Sequence, residues 1–119
     1  MLNAIEPRSY IRPHKHENPD KREAFFALKG RIVILEFSPD GKISSHEILD
    51  PMEGNYGVEV APGTWHSMIA LREGSVAYEI KDGPYDPSND KVFANWAPEE
   101  GSAEAQQFMN EILEQFRLI

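Results

Sequence analysis

From Ser9 to Lys81 the chain alternates short apolar runs with turn residues. Glu23 to Leu28 and Arg31 to Phe37 are two such runs, split by Lys29-Gly30, which predicts two strands joined by a tight turn. Ser38-Pro39-Asp40-Gly41 is a second turn signal, its Asp-Gly pair readily taking the positive φ that hairpins require. Tyr10-Ile11-Arg12 leads into Pro13, and Lys42–Leu49, Tyr56–Val60, His66–Leu71 and Ser75–Lys81 follow. The set amounts to about seven strands, spaced as in a sandwich or barrel. Ile32-Val33-Ile34-Leu35 is apolar on both faces of its strand, so one face can fill an interior while the other needs a cover.

The period changes near the C-terminus. Phe108, Met109, Ile112, Leu113 and Phe116 recur at three- and four-residue steps, which predicts an amphipathic helix. Ser102 is the expected N-cap and Glu104 suits the first turn. Docking on the chain's own sheet is the preferred use of this stripe, packing on a second subunit the alternative. Residues 82–100 are rich in Pro, Gly, Asp and Asn but carry Tyr85, Phe93 and Trp96. Three large rings predict a loop packed on the body, with Tyr85 and Trp96 serving either as packing or as a lid.

Composition narrows the function classes. The 119 residues include 20 acidic and 12 basic side chains, a net charge of −8, with 40% hydrophobic and 27% charged residues. That is a globular composition. The acidic balance argues against nucleic acid, whose binding relies on clustered Lys and Arg. The longest apolar run is Ala24 to Leu28, too short to span a bilayer, and the first residues lack the pattern of a secretory signal. No cysteine is present, which removes thiolate chemistry and disulfides and suits a reducing cytoplasm.

The candidate chemistry lies in three of the four histidines. His14-Lys15-His16 places two imidazoles on one face of an extended strand, roughly 7 Å apart along the chain. After a six-residue turn, Glu17 to Arg22, Glu23 opens the next apolar run, and a hairpin there would return it beside His16. His66 follows the turn Pro62-Gly63-Thr64-Trp65. Three neutral imidazoles and a carboxylate suit Zn²⁺, Fe²⁺, Mn²⁺, Ni²⁺ or Cu²⁺, and the spacing does not choose among them. Alternation sends Met68 and Ala70 inward with His66, and Phe25 inward with Glu23. The competing reading of Glu23 is an outward carboxylate paired with Lys21 or Arg22. His46, in Ser44-Ser45-His46-Glu47, is expected to face solvent. Arg8, Arg12, Arg31 and Arg72 could bind an anionic substrate but read first as surface charges. No Ser-His-Asp arrangement or Gly-rich phosphate loop is present.

His14-x-His16, Glu23-x6-Gly30 and Pro62-Gly63-x2-His66 resemble the two motifs of the cupin superfamily. Two departures stand out: the longer spacing from His16 to Glu23, and Ala61 where the superfamily usually has proline. More specifically, Tyr10-Ile-Arg-Pro-His-Lys-His, Leu28-Lys-Gly-Arg, Pro62-Gly-Thr-Trp-His, Lys81-Asp-Gly-Pro-Tyr-Asp-Pro and Trp96-Ala-Pro-Glu-Glu-Gly resemble the WbuC family of cupin-fold metalloproteins, over about Leu2 to Gly101. Members of that family carry additional residues before the position of Met1. The resemblance implies a bacterial protein, often encoded near genes for surface polysaccharide synthesis, with a bound divalent metal. It assigns no reaction.

The expectation is therefore an all-β, single-domain cupin: a jelly-roll β-barrel with its packed loop over residues 1–101, and an amphipathic helix over residues 102–119. One divalent metal is expected at His14, His16, His66 and Glu23. The expected activity is metal-assisted isomerase, epimerase or lyase chemistry on a sugar or sugar-nucleotide in polysaccharide biosynthesis. An Fe²⁺ oxygenase and a non-catalytic saccharide- or metal-binding module are the alternatives. Related sugar-nucleotide epimerases use a His base and a Tyr acid without a metal, and the H-x-H pair argues against that mode. A homodimer is expected, through the apolar outer face around Ile32 to Leu35.

Overall fold

The computed structural model describes residues 1–84 and 91–118. Its strands form two antiparallel sheets. The first holds β1 (Leu2–Ile5), β8 (Ser75–Lys81), β3 (Glu23–Lys29) and β6 (Gly57–Val60), in that order. The second holds β5 (Ile43–Leu49), β4 (Ile32–Phe37), β7 (Trp65–Ala70), β2 (His14–Lys15) and β9 (Val92–Phe93). A 3₁₀ turn spans Pro51–Glu53, and α1 spans Glu104–Gln115.

The sheets do not close into the expected barrel. Among the described residues no strand of one sheet is paired with a strand of the other, so each sheet keeps two edges. The chain passes from the first sheet to the second between β3 and β4 at Gly30, which sits at φ +84° and where a Cβ would lie 2.2 Å from the Ser75 hydroxyl. Only glycine takes this positive φ without strain and leaves that space open.

Two apolar layers result. Ile5, Phe25, Ile32, Ile34, Leu49, Val60, Met68 and Ala70 fill the space between the sheets. On the far side of the second sheet, Val33, Leu35, Phe37 and Ile69 pack against Met109, Ile112 and Leu113 of α1. The two-faced strand Ile32 to Leu35 thus finds its second cover in the chain's own helix. That placement removes β4 as the expected dimer face. Ser102 is not the N-cap: its hydroxyl bonds back to the Glu99 carbonyl at 2.6 Å, and Ala103 takes the cap position with no side-chain bond. Trp96 packs at a tilt against Phe37 at 5.1 Å and approaches Trp65 edge-on at 6.2 Å, both on the outer face. Tyr85 lies outside the described residues. No helix among the described residues is long and apolar enough to cross a membrane.

Candidate metal centre

His14 and His66 are direct cross-strand partners on β2 and β7, which brings two residues 52 positions apart to a ring separation of 4.6 Å. His16 follows β2, its ring 5.3 Å from His14 and 5.6 Å from His66. All three are buried, and one ring nitrogen from each lies within 4.8 Å of the others. Glu23 comes from the opposite sheet. It reaches His16 across the interior, with no hairpin pairing of β2 and β3. Its Oε1 lies 2.8 Å from Nε2 of His16 and 2.8 Å from Nε2 of His66. At 1% exposure Glu23 is turned fully inward, while Arg22 pairs instead with Glu59 at 3.0 Å.

The protonation pattern is fixed by the main chain. Nδ1 of His14 lies 2.8 Å from the Arg12 carbonyl, and Nδ1 of His66 lies 2.8 Å from the Thr64 carbonyl. A carbonyl only accepts, so each Nδ1 carries the proton and each Nε2 presents a bare lone pair when the ring is neutral. Burial, reinforced by His66, lowers the His14 pKa to about 3, so that ring is neutral at physiological pH. At His66, Nε2 faces a carboxylate oxygen at 2.8 Å outside hydrogen-bond geometry. That separation suits either a proton on Nε2 that the carboxylate accepts or a cation bound by both atoms. The backbone-anchored imidazole with its other nitrogen directed inward is the arrangement metal-ligating histidines adopt. The donor set therefore fits a divalent transition metal.

Sequence reasoning missed Glu79. It lies on β8 beside Phe25 of β3 in register, and with His16 and Glu23 it forms a second cluster of possible ligands. Burial and the neighbouring Glu23 carboxylate push its pKa up to about 7. Burial also opposes charge on Glu23, but contacts with His16, His66 and Glu79 outweigh it and hold that carboxyl well below the usual range. Glu79 thus holds its proton to a much higher pH than Glu23 does. The available signal was parity: Glu79 shares a face with Ser75 and Ala77. It was masked because the other parity, Val76, Tyr78 and Ile80, is the more apolar.

The cluster sits in the wall of a cavity of about 780 Å³. Phe25, Met68 and Ile5 supply its apolar lining, and Lys81, Lys91 and Glu79 supply charged or ionisable groups. Phe25, Met68 and Ala70 face inward, as the alternation predicts. No tyrosine lines this cavity among the described residues; the Tyr10 hydroxyl is bound to the Pro98 carbonyl on the outer side. His46 is exposed and stacks on Phe116 at 4.0 Å, apart from the other histidines. Arg31 pairs with Asp50 at 3.1 Å, and Arg72 lies 3.9 Å from the same carboxylate. Arg12 bonds the Ala94 carbonyl at 3.0 Å. Neither these three nor Arg8 lines the cavity.

Solved structures of sugar-nucleotide epimerases and a sugar ketoisomerase share this fold. The dTDP-4-dehydrorhamnose 3,5-epimerase of Sulfolobus tokodaii matches with a TM-score of 0.66 at 21% identity, covering 87% of this chain and 62% of that one. The rmlC epimerase of Mycobacterium tuberculosis matches with a TM-score of 0.64 at 14% identity, over 78% and 48% of the two chains. The sugar 3,4-ketoisomerase QdtA of Thermoanaerobacterium thermosaccharolyticum, solved in complex with TDP, matches with a TM-score of 0.60 at 18% identity, over 98% and 73%. The chain thus spans about half to three-fifths of the length of the two epimerases. A family model described as a domain of unknown function, DUF6016, matches residues 1–49. No curated protein matches the sequence.

Proposed function

We propose that this chain is a divalent-metal cupin of the WbuC type, acting on a sugar or nucleotide sugar by isomerase, epimerase or lyase chemistry in bacterial surface-polysaccharide synthesis. The observation that carries the reading is the convergence of His14, His16 and His66 with Glu23, two of the rings locked through Nδ1 onto main-chain carbonyls. The substrate class draws support from the fold, shared with epimerases and a ketoisomerase of dTDP-type sugars.

His14, His16, His66 and Glu23 hold the metal, which when bound supplies Lewis-acid polarisation of a carbonyl or hydroxyl group. The chain's own residues do the rest. Phe25, Met68 and Ile5 exclude water from one side of the cavity and seat the less polar face of a sugar ring. Lys81 and Lys91 orient an anionic substituent. Glu79, raised to about 7, is suited to give or take a proton at a substrate carbon or oxygen. A His–Tyr acid–base pair has no tyrosine to draw on among the described cavity residues.

The test combines elemental analysis with turnover. Purified protein is expected to hold about one transition metal per chain and to exchange solvent deuterium into a 4-keto nucleotide sugar, followed by NMR. Glu79→Gln is expected to keep the metal and lose on the order of 100-fold in rate. A metal-loaded preparation that neither binds nor converts any nucleotide sugar overturns the substrate class. Substrate-dependent oxygen uptake by the iron form would assign an oxygenase instead.

A further inference from the structure

Two phenyl rings flank the paired imidazoles of His14 and His66, one from each sheet. Phe25 of β3 lies 6.0 Å from the His66 ring and is closed in at 2% exposure. Phe93 of β9 is the register partner of His14 and lies 6.3 Å from its ring. It stays 42% exposed while lining the same cavity. An apolar ring left in solvent forfeits burial energy, and the packing of the fold does not account for it, since Phe93 belongs to neither apolar layer.

The ring is nonetheless held in place. Arg12 sits over it, the guanidinium carbon 5.4 Å from the ring centre, in a cation–π contact. The same guanidinium donates to the Ala94 carbonyl at 3.0 Å. The Ala94 N–H in turn donates to the Pro13 carbonyl at 2.9 Å, and the Arg12 main-chain N–H donates to the Glu100 carboxylate at 3.2 Å. Arg12 thus takes one face of Phe93, and the exposed remainder borders the cavity. A fixed, flat ring with an open side is a stacking platform that loses little freedom when a ligand arrives.

Reach decides what stacks there. In a nucleotide sugar, a ribose and two phosphates separate the base from the sugar. With a reacting sugar carbon at the histidines, the base falls well beyond a ring only 6.3 Å from His14. The group that meets both is the sugar ring itself, whose C–H face suits a phenyl ring. The charges of the cavity agree. Its described lining carries no arginine, and Lys81 and Lys91 are matched there by Glu79 and Glu100. That set suits one anionic group on the ring, whereas a diphosphate is best held by bidentate arginine.

We propose that Phe93 is the specificity-determining residue of the cavity: it seats the reacting sugar ring beside the histidines, and the described residues select a sugar bearing one phosphate or carboxylate, with no seat for a nucleobase. Resting on the sugar-directed reading above, this narrows the substrate to the ring and a single anionic group on it.

The experiment is isothermal titration calorimetry on the full chain as purified, with metal content and circular dichroism as checks. The probes are the 1-phosphates of glucose, galactose and mannose, the three matching uronates, TDP-glucose and TDP. At least one sugar phosphate or uronate is expected to bind within about 10-fold of TDP-glucose, and TDP at least about 10-fold more weakly. Which of the two sets binds distinguishes phosphate from carboxylate. Phe93→Leu keeps an apolar side chain but removes the flat ring. It is expected to weaken the sugar about 10-fold and to leave TDP affinity, metal content and dichroism unchanged. Phe93→Trp is expected to restore binding and to report it, the new indole changing its emission as the sugar is added, while Trp65 and Trp96 of the wild type, which pack on each other at the outer face, do not respond. Unchanged sugar affinity in Phe93→Leu overturns the proposal. TDP binding as tightly as TDP-glucose, TDP-glucose binding with no sugar phosphate or uronate bound, or a loss in Phe93→Leu confined to TDP overturns it equally. A wild type that binds none of the probes overturns the sugar-directed reading itself, and the proposal falls with it.

Discussion

A carbonyl oxygen behind each of two imidazoles decides what their other nitrogens can do. Because Nδ1 of His14 and of His66 donates to main-chain oxygen, Nε2 is left as a donor of electrons. His14→Ala and His66→Ala are each expected to leave less than one-tenth of wild-type metal by elemental analysis, while circular dichroism stays β-rich, since the apolar layers are untouched. Glu23→Ala is expected to weaken binding without abolishing it, and wild-type affinity in that variant would remove Glu23 from the ligand set. In the metal-free protein the same residues set the pH profile. His14 is lowered from 6.5 to about 3, so its contribution to stability is present above pH 6.5 and lost as pH falls toward 3. Glu79 is raised from 4.5 to about 7, so its contribution is present below pH 4.5 and lost as pH rises through 7. The two slopes oppose each other between about 4.5 and 6.5, giving a plateau there. Glu79→Gln is expected to stabilise the metal-free protein at pH 8 by about 1–2 kcal/mol, less than the bare shift implies because the group is partly solvated. Thermal melts from pH 4 to 9 check both arms.

At the scale of elements, the strand positions were legible wherever apolar runs ended in Gly, Pro or Asp. Ser75–Lys81 is reproduced residue for residue, and Glu23–Lys29 and Ile32–Phe37 to within a residue. The two-residue strand Val92–Phe93 was not, because a strand so short carries no periodicity and is defined here by its pairing with β2. The faces of β8 were not legible, since Val76, Tyr78 and Ile80 are the more apolar parity yet Ser75, Ala77 and Glu79 turn inward. Glu23 was legible as a site residue but not its route, since it meets His16 across two sheets instead of along a hairpin. Gly30 was read as a turn, and its contact with Ser75 makes it a packing requirement as well. Gly30→Ala is expected to cost about 2–4 kcal/mol in urea unfolding, from the positive φ and the collision together. Met109→Ala, which empties the middle of the helix–sheet layer, is expected to cost about the same through the cavity it leaves. An unchanged unfolding midpoint in Met109→Ala would mean that α1 contributes no stability by docking there.

For the whole molecule, the open sandwich would give a bound metal a mechanical role that a closed barrel would not need. His14 and His66 belong to one sheet and Glu23 to the other, and among the described residues no ladder of hydrogen bonds joins the two. A cation held by this set would therefore tie the layers together at the cavity end, so binding energy would appear as folding energy. With free metal at about 100 times its dissociation constant the gain is ~2.7 kcal/mol, which for a chain of this length raises the melting temperature by roughly 10 °C. Zn²⁺, Mn²⁺, Fe²⁺ and Ni²⁺, each added to metal-free protein, are expected to produce shifts ordered by their affinities, and none is expected to shift His66→Ala. Protons compete for the imidazoles, so the shift is expected to shrink below about pH 6 and dialysis at pH 5 to strip the ion. Metal that survives that dialysis would contradict histidine ligation. A melting temperature indifferent to every ion would mean that Glu23 and the histidines bridge the sheets by themselves, with His16 and His66 sharing its carboxylate through protons.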